Sequence, residues 1–172
     1  MKISLVILGL NEIEGLKYIM PRVDRSLFEQ IILLDGGSTD GSAEWAKEHG
    51  YEVYVQKKRG IRNAHLESLD LIRGDVILTF SPDNNCTPED IPIMIDEMKK
   101  GYDLVVASRY KGGIKSDDDG VENIKLPLIS YPSCGGGDFV FDCVSHHSFL
   151  AFISPVICPR LFHSSNRNHL SS

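Results

Sequence analysis

The chain has 172 residues, 42% of them hydrophobic, with 18 basic and 24 acidic side chains and a formal charge of −6. That length supports one core that buries about two-thirds of the unfolded surface, with no disulfide or metal needed to hold it. The acidic balance excludes a generic nucleic-acid coat, because such affinity comes from Lys and Arg neutralising phosphates.

From residue 1 to about 110, short apolar runs alternate with polar turns and segments of helical spacing, the pattern of βαβ units on a parallel sheet. Ile3 to Leu8 is a continuous apolar run of strand length, as expected for a strand covered on both faces. Asn11 is placed to cap a helix that carries Glu14 at its third position and stops at Pro21. Ile31 to Leu34 makes a second strand, and Asp35-Gly36-Gly37-Ser38-Thr39-Asp40-Gly41 is the turn at its end. A helix is predicted from Ser42 to His49, closed by Gly50 where a left-handed cap is favoured. Tyr51 to Val55 is a third strand, followed by the basic turn Lys57-Lys58-Arg59-Gly60 and a helix to Ile72. Val76 to Phe80 is a fourth strand. Thr87-Pro88-Glu89-Asp90 starts the next helix, which Gly101 ends, and Leu104 to Ser108 supplies a fifth strand.

In open α/β sheets, ligands bind beyond the carboxyl ends of the strands, so the residues just after each strand are the candidates for chemistry. Those turns carry Asn11-Glu12, Asp35 to Asp40, Ser81-Pro82-Asp83-Asn84-Asn85 and Arg109-Tyr110. The basic turn lies at a helix amino end, where dipole and side-chain charge both favour an anion. Carboxylates and cations together point to a metal-nucleotide site. Neither G-x-G-x-x-G after the first strand nor the P-loop G-x-x-x-x-G-K-[ST] is present, so the nucleotide is held in another way.

Leu10-Asn11-Glu12 after the first strand, the Leu34 to Gly41 turn, Arg59-Gly60, Phe80 to Asn85 and Ser108-Arg109-Tyr110 together resemble the family 2 glycosyltransferases. Within these, the resemblance is to the dolichyl- or polyprenyl-phosphate sugar transferases, over about residues 1–119. It implies a GT-A (Rossmann-like) α/β fold, a mostly parallel sheet flanked by helices. It also implies a UDP- or GDP-sugar donor, Mg²⁺ or Mn²⁺, and a lipid-phosphate acceptor. Leu10, Asn11, Glu12, Asp35, Gly37, Ser38 and Asp40 are then the expected nucleotide-binding residues, and Lys58, Arg62 and Arg109 the phosphate-binding ones. The family often has two consecutive Asp at the second turn; here the second is Gly36. Its D-x-D metal motif aligns with Ser81-Pro82-Asp83, which leaves Asp83 as the expected metal ligand, supported by Asn85. No general base is evident after residue 110, which suits a lipid monophosphate that is already anionic. Two rival functions are a nucleotide-sugar-binding module that lacks catalysis, and a nucleotidyltransferase, which calls for a Gly-rich basic loop after the first strand.

Simpler roles compete at several positions. Asp35, Asp40 and Asp83 are ordinary turn or cap residues, and Lys57-Lys58-Arg59 is an ordinary solvated charge run. Trp45 is expected to pack, and His49 and His65 to lie at the surface or cap helices. Asp117-Asp118-Asp119 is expected to be a solvated loop.

The composition changes near residue 120. Of the 42 charged residues, 36 lie in 1–120 and 6 in the last 52, so the whole net charge belongs to the front. The expected organisation is a donor-binding domain over 1–120, truncated relative to the family, and an irregular, divergent tail over 121–172. Cys134, Cys143, His146 and Cys158 lack paired zinc-ligand spacing. The apolar run from Phe149 to Cys158 is about half a membrane span. Cys86 and the tail cysteines form no C-x-x-C pair and the start shows no cleavable signal pattern, so a cytoplasmic setting is expected, at a membrane face where the acceptor is a lipid.

Overall fold

The computed structural model describes residues 1–83, 87–102, 104–107, 128–131 and 150–153. Among them, seven strands form one sheet: β1 (Ile3–Gly9), β2 (Gln30–Asp35), β3 (Glu52–Val55), β4 (Val76–Phe80), β5 (Leu104–Ala107), β6 (Leu128–Tyr131) and β7 (Leu150–Ile153). The helices are α1 (Ile13–Ile19), α2 (Ser42–Glu48), α3 (Ile61–Ser68) and α4 (Ile91–Met98). The strand order is β3-β2-β1-β4-β7-β5-β6. β1 pairs in parallel with both β2 and β4, and β2 with β3. β7 runs antiparallel between β4 and β5, and β6 antiparallel to β5. Five strands therefore point one way and two the other, the mostly parallel α/β sheet that the apolar runs predict.

β6 and β7 come from the stretch expected to be irregular. Each is only four residues long, too short for alternation to stand out from the Gly-, Ser- and Cys-rich sequence around it. β7 also separates β4 from β5, which chain order alone does not show. Asn85, Arg109, Asp117 to Asp119 and all four cysteines lie outside the described residues.

The core explains why β1 is central. Leu5 and Ile7 are buried with Leu33, Leu78 and Phe80, and Leu16 and Ile19 of α1, Met20 just after it, and Ile91, Met94 and Met98 of α4 close over them. At the amino end of the sheet a polar network takes over. The Ser4 hydroxyl donates to Gln30 Oε1 (3.0 Å) and accepts from the Gly74 N–H (2.9 Å). The Gln30 amide donates to Glu52 (2.8 Å), which also pairs with Arg73. A Cβ on Gly74 would lie 2.7 Å from the Ser4 nitrogen, so glycine is what lets this turn run against β1.

Several local expectations are corrected. α3 ends at Ser68 rather than Ile72, because the Ser68 carbonyl accepts the N–H groups of both Leu71 and Ile72 and the chain turns toward Gly74. α1 begins after Glu12, and Asn11 does not cap it; Asn11 adopts a left-handed conformation (φ 58°) and turns its amide to another loop. α4 starts at Ile91, after a 3₁₀ turn over Pro88–Asp90. His65 is buried rather than at the surface. Gly50 has φ 75° at the end of α2, as the left-handed cap requires, and Trp45 stacks on His49 and Tyr51 in a packing role.

Phe80 is completely buried, so Phe80→Ala is expected to cost about 3–5 kcal/mol. Ile93, half exposed on α4, changes stability by less than about 0.5 kcal/mol when replaced by Ala. Denaturant midpoints of the two variants check this contrast.

Candidate functional site

The carboxyl ends of β1 to β4 share one edge of the sheet. From β1 the chain proceeds to β2 and β3 on one side and then crosses to β4 on the other, so the edge beside β1 is a topological switch point, where α/β sheets bind ligands. A cleft of about 340 Å³ opens there. Leu8, Leu10, Leu34, Ile61 and Ala64 make its walls largely apolar, and Glu12, Arg59 and Asp83 bring charge to it. Gly36, Gln56, Gly60, His65, Thr79 and Ser81 complete the lining.

The loop after β2 is built by its own carboxylates. Asp35 is 2% exposed, and its oxygens accept the N–H groups of Gly37 and Ser38, each at 3.0 Å. Asp35 thus anchors the turn and is not among the residues that line the cleft. Gly37 has φ 93°, a conformation that glycine accepts without strain. A side chain at Gly36 would meet Gln56 Oε1 and Leu10 Cβ at 3.3 Å, so this turn has little room for a second carboxylate.

Four hydrogen bonds lace this loop to the one after β1. Asn11 Oδ1 accepts the Thr39 N–H (2.8 Å), and the Asn11 N–H donates to Ser38 Oγ (2.8 Å). The Ile13 N–H donates to Asp40 Oδ2 (3.0 Å), and the Glu12 N–H to Ser42 Oγ (3.1 Å). Asp40 Oδ1 also accepts from the Ser42 hydroxyl (2.6 Å) and N–H (3.0 Å). Burial pushes Asp40 up, but these hydrogen bonds outweigh it and hold its carboxyl below the usual range.

Glu12 shows the opposite shift. Burial raises its pKa, and the Asp83 and Asp40 carboxylates raise it further; Glu12 and Asp83 both line the cleft. Among the described residues, no group of three His, Cys, Asp or Glu gathers as a closed metal cage.

Sequence reasoning favoured Lys58 and Arg62 in the basic region, but Arg59 is the cation lining the cleft. The Lys57 and Lys58 N–H groups both donate to the Glu67 carboxylate (2.9 and 3.0 Å), which pins the turn. Gly60 follows with φ 110°, and Arg59 Nη2 comes within 3.7 Å of where a Cβ on Gly37 would stand. The Arg59-Gly60 pair was visible in the sequence, but its direction was not. His65 was also missed; burial pushes its imidazole down to about 4, so it is neutral beside the apolar wall at ordinary pH. No helix among the described residues is long and apolar enough to cross a membrane.

The raised Glu12 has a checkable sign. The native state holds the Glu12 proton to higher pH than the unfolded chain does, so stability falls as pH rises from the ordinary glutamate value through the raised one. Glu12→Gln is therefore expected to raise the thermal midpoint at about pH 7 and to give no gain at about pH 3.5, where the carboxyl is protonated in both states. Calorimetric melts of both proteins across pH check it.

Comparison with known proteins identifies the family and the fold. The family model described as Glycosyl transferase family 2 matches residues 4–149, past the point near 119 where the motif resemblance ends. The chain is 33% identical over 122 residues to the dolichol-phosphate mannosyltransferase of Pyrococcus furiosus, covering 66% of this chain and 35% of that protein. It is 30% identical over 116 residues to the undecaprenyl-phosphate 4-deoxy-4-formamido-L-arabinose transferase of Klebsiella pneumoniae, covering 60% and 36%. The chain thus spans about a third of the length of these curated relatives. Among solved structures, glucosyl-3-phosphoglycerate synthase of Mycobacterium tuberculosis in complex with Mn²⁺ and UDP-glucose aligns with a TM-score of 0.60 at 23% identity, over 91% of this chain and 57% of that one. That likeness establishes the GT-A fold. With the family model matching most of its length, the chain belongs to glycosyl transferase family 2.

Proposed function

We propose that this chain binds a nucleotide-diphosphate sugar, UDP- or GDP-linked, and transfers the sugar to a polyprenyl or dolichyl phosphate with the help of Mg²⁺ or Mn²⁺. The observation that carries this is the cleft at the switch point, in which the Glu12 and Asp83 carboxylates and the Arg59 guanidinium come from three different strand ends. Two curated relatives are named for transfer on dolichol phosphate and undecaprenyl phosphate, and the structural neighbour was solved with Mn²⁺ and UDP-glucose, which supports the substrate classes.

The residues present suit a hard cation. Glu12, Asp83 and the Ser81 hydroxyl offer oxygen donors, and the open side leaves positions for the donor's diphosphate and for water, as Mg²⁺ commonly takes them. Asp83 is the principal ligand, with Asn85, two residues on in the sequence, as a supporting oxygen donor. The chemistry supplied by the ion is neutralisation of the charge that grows on the departing nucleoside diphosphate.

The protein's own groups do the rest. The laced loops carrying Asn11, Ser38 and Asp40 present the nucleoside side of the cleft, and Leu8, Leu10 and Ile61 exclude water from it. Arg59 meets the diphosphate with two parallel N–H donors, a geometry a lysine cannot offer. Lys58, Arg62 and Arg109 add positive potential around it. A lipid monophosphate is anionic at neutral pH and attacks the anomeric carbon without a general base; with a lipid acceptor, the proposed setting is the cytoplasmic face of a membrane. In this reading the donor site lies within residues 1–120.

The test is release of nucleoside diphosphate from UDP- and GDP-sugars in the presence of a polyprenyl monophosphate and Mn²⁺. Asp83→Ala is expected to lower that rate about 10²–10³-fold. Arg59→Ala is expected to weaken nucleotide affinity about tenfold, the usual cost of a charge-assisted hydrogen bond to phosphate. Binding without release assigns the chain to a nucleotide-sugar-binding module. No binding of any nucleotide overturns the proposal.

A further inference from the structure

We propose that Gly15 is a positioning residue for the cation site: by lacking a side chain it lets α1 meet the Pro82 carbonyl at contact, and so sets Asp83 opposite Glu12. The inference rests on the donor-site reading above. A Cβ built on Gly15 would lie 1.8 Å from the Pro82 carbonyl oxygen, 3.0 Å from its carbonyl carbon and 3.6 Å from Glu12 Oε2. Real Cβ atoms essentially never come closer than 3.0 Å to such neighbours, so any side chain here displaces the turn by more than an ångström. The volume that Gly15 leaves empty is therefore bounded by the residue before Asp83 and by the Glu12 carboxylate, and Glu12 and Asp83 both line the cleft.

Backbone conformation gives no other reason for this glycine. Among the described residues, the glycines with a positive φ are Gly37, Gly41, Gly50, Gly60 and Gly101, and Gly15 is not one of them. It sits inside α1, where glycine is the least favourable residue short of proline. The turn that it admits is stiff. Phe80 is fully buried at the end of β4 and anchors one side, and the Pro82 ring fixes its own φ. A displaced Pro82 carbonyl is thus passed directly to Asp83.

The experiment compares Gly15→Ala with Gly50→Ala in the whole chain. Gly50 has open space around its would-be Cβ but a left-handed φ of 75°, so that variant carries a backbone cost without a contact. In the metal-free protein, Gly15→Ala is expected to move the amide resonances of Ser81, Asp83 and Glu12 and to leave those of Ser38 and Thr39 in place. In calorimetry with UDP or GDP present, its Mn²⁺ dissociation constant rises about tenfold or more, while metal-free nucleotide affinity stays within about twofold. Gly50→Ala lowers the thermal midpoint and leaves the Mn²⁺ constant alone. A folded Gly15→Ala protein with unmoved amides or an unchanged Mn²⁺ constant overturns the proposal. If Gly15→Ala does not fold, Pro82→Gly, which keeps the contact but frees the turn, is expected to raise the Mn²⁺ constant in the same way, and no rise overturns the proposal. A wild-type chain that binds neither nucleotide nor Mn²⁺ overturns the donor-site reading itself, whereas intact binding that Gly15→Ala leaves unchanged overturns only the role of Gly15.

Discussion

The hydrogen bonds between the loops after β1 and β2 are the constraint on which the cleft depends. The Glu12 and Ile13 N–H groups stand at the start of α1, where a helix has no internal partner for them, and Ser42 Oγ and Asp40 satisfy them from the other loop. Asn11 closes the seam with two more bonds, donating its N–H to Ser38 Oγ and accepting the Thr39 N–H at its Oδ1. Each such bond contributes about 0.5–1.5 kcal/mol. Their joint effect is to make one rim out of two loops, and that rim carries Glu12.

Once Glu12 is fixed, the electrostatics of the cleft follow. Burial and Asp83 both disfavour its charge, and this unfavourable pairing of carboxylates is relieved by positive charge. Among the described residues lining the cleft, Arg59 is the cation that the fold itself delivers, and the divalent ion proposed above would be the larger partner. A site that is tense when empty and balanced when filled is preorganised for charge stabilisation, because its groups need not move when the ligand's charge develops.

Much of the fold was legible because it is written in short-range pattern. The runs at Ile3 to Leu8, Ile31 to Leu34 and Val76 to Phe80 are apolar without alternation, as strands covered on both faces must be, and they became β1, β2 and β4. Strand-end polar residues then marked the edge of the sheet at which the cleft opens. What was not legible depends on three-dimensional direction. Nothing local to Lys58, Arg59 and Arg62 says which points into the cleft; Glu67, eight residues beyond Arg59, pins the turn and decides it. Asp35 reads equally as ligand or anchor until its oxygens are seen on Gly37 and Ser38. Asn11 in a left-handed conformation, buried His65 and the contact of Gly15 with Pro82 each depend on a neighbour distant in sequence.

The account stands or falls on whether the cleft binds a nucleoside diphosphate together with a divalent ion. Calorimetric titration of the whole chain with UDP and with GDP, in the presence and absence of Mn²⁺, tests this most directly. The predicted result is binding of one nucleotide that Mn²⁺ tightens about tenfold or more, with the tightening lost in Asp83→Ala. Binding that is indifferent to Mn²⁺ and to Asp83, or no binding of either nucleotide, would contradict it.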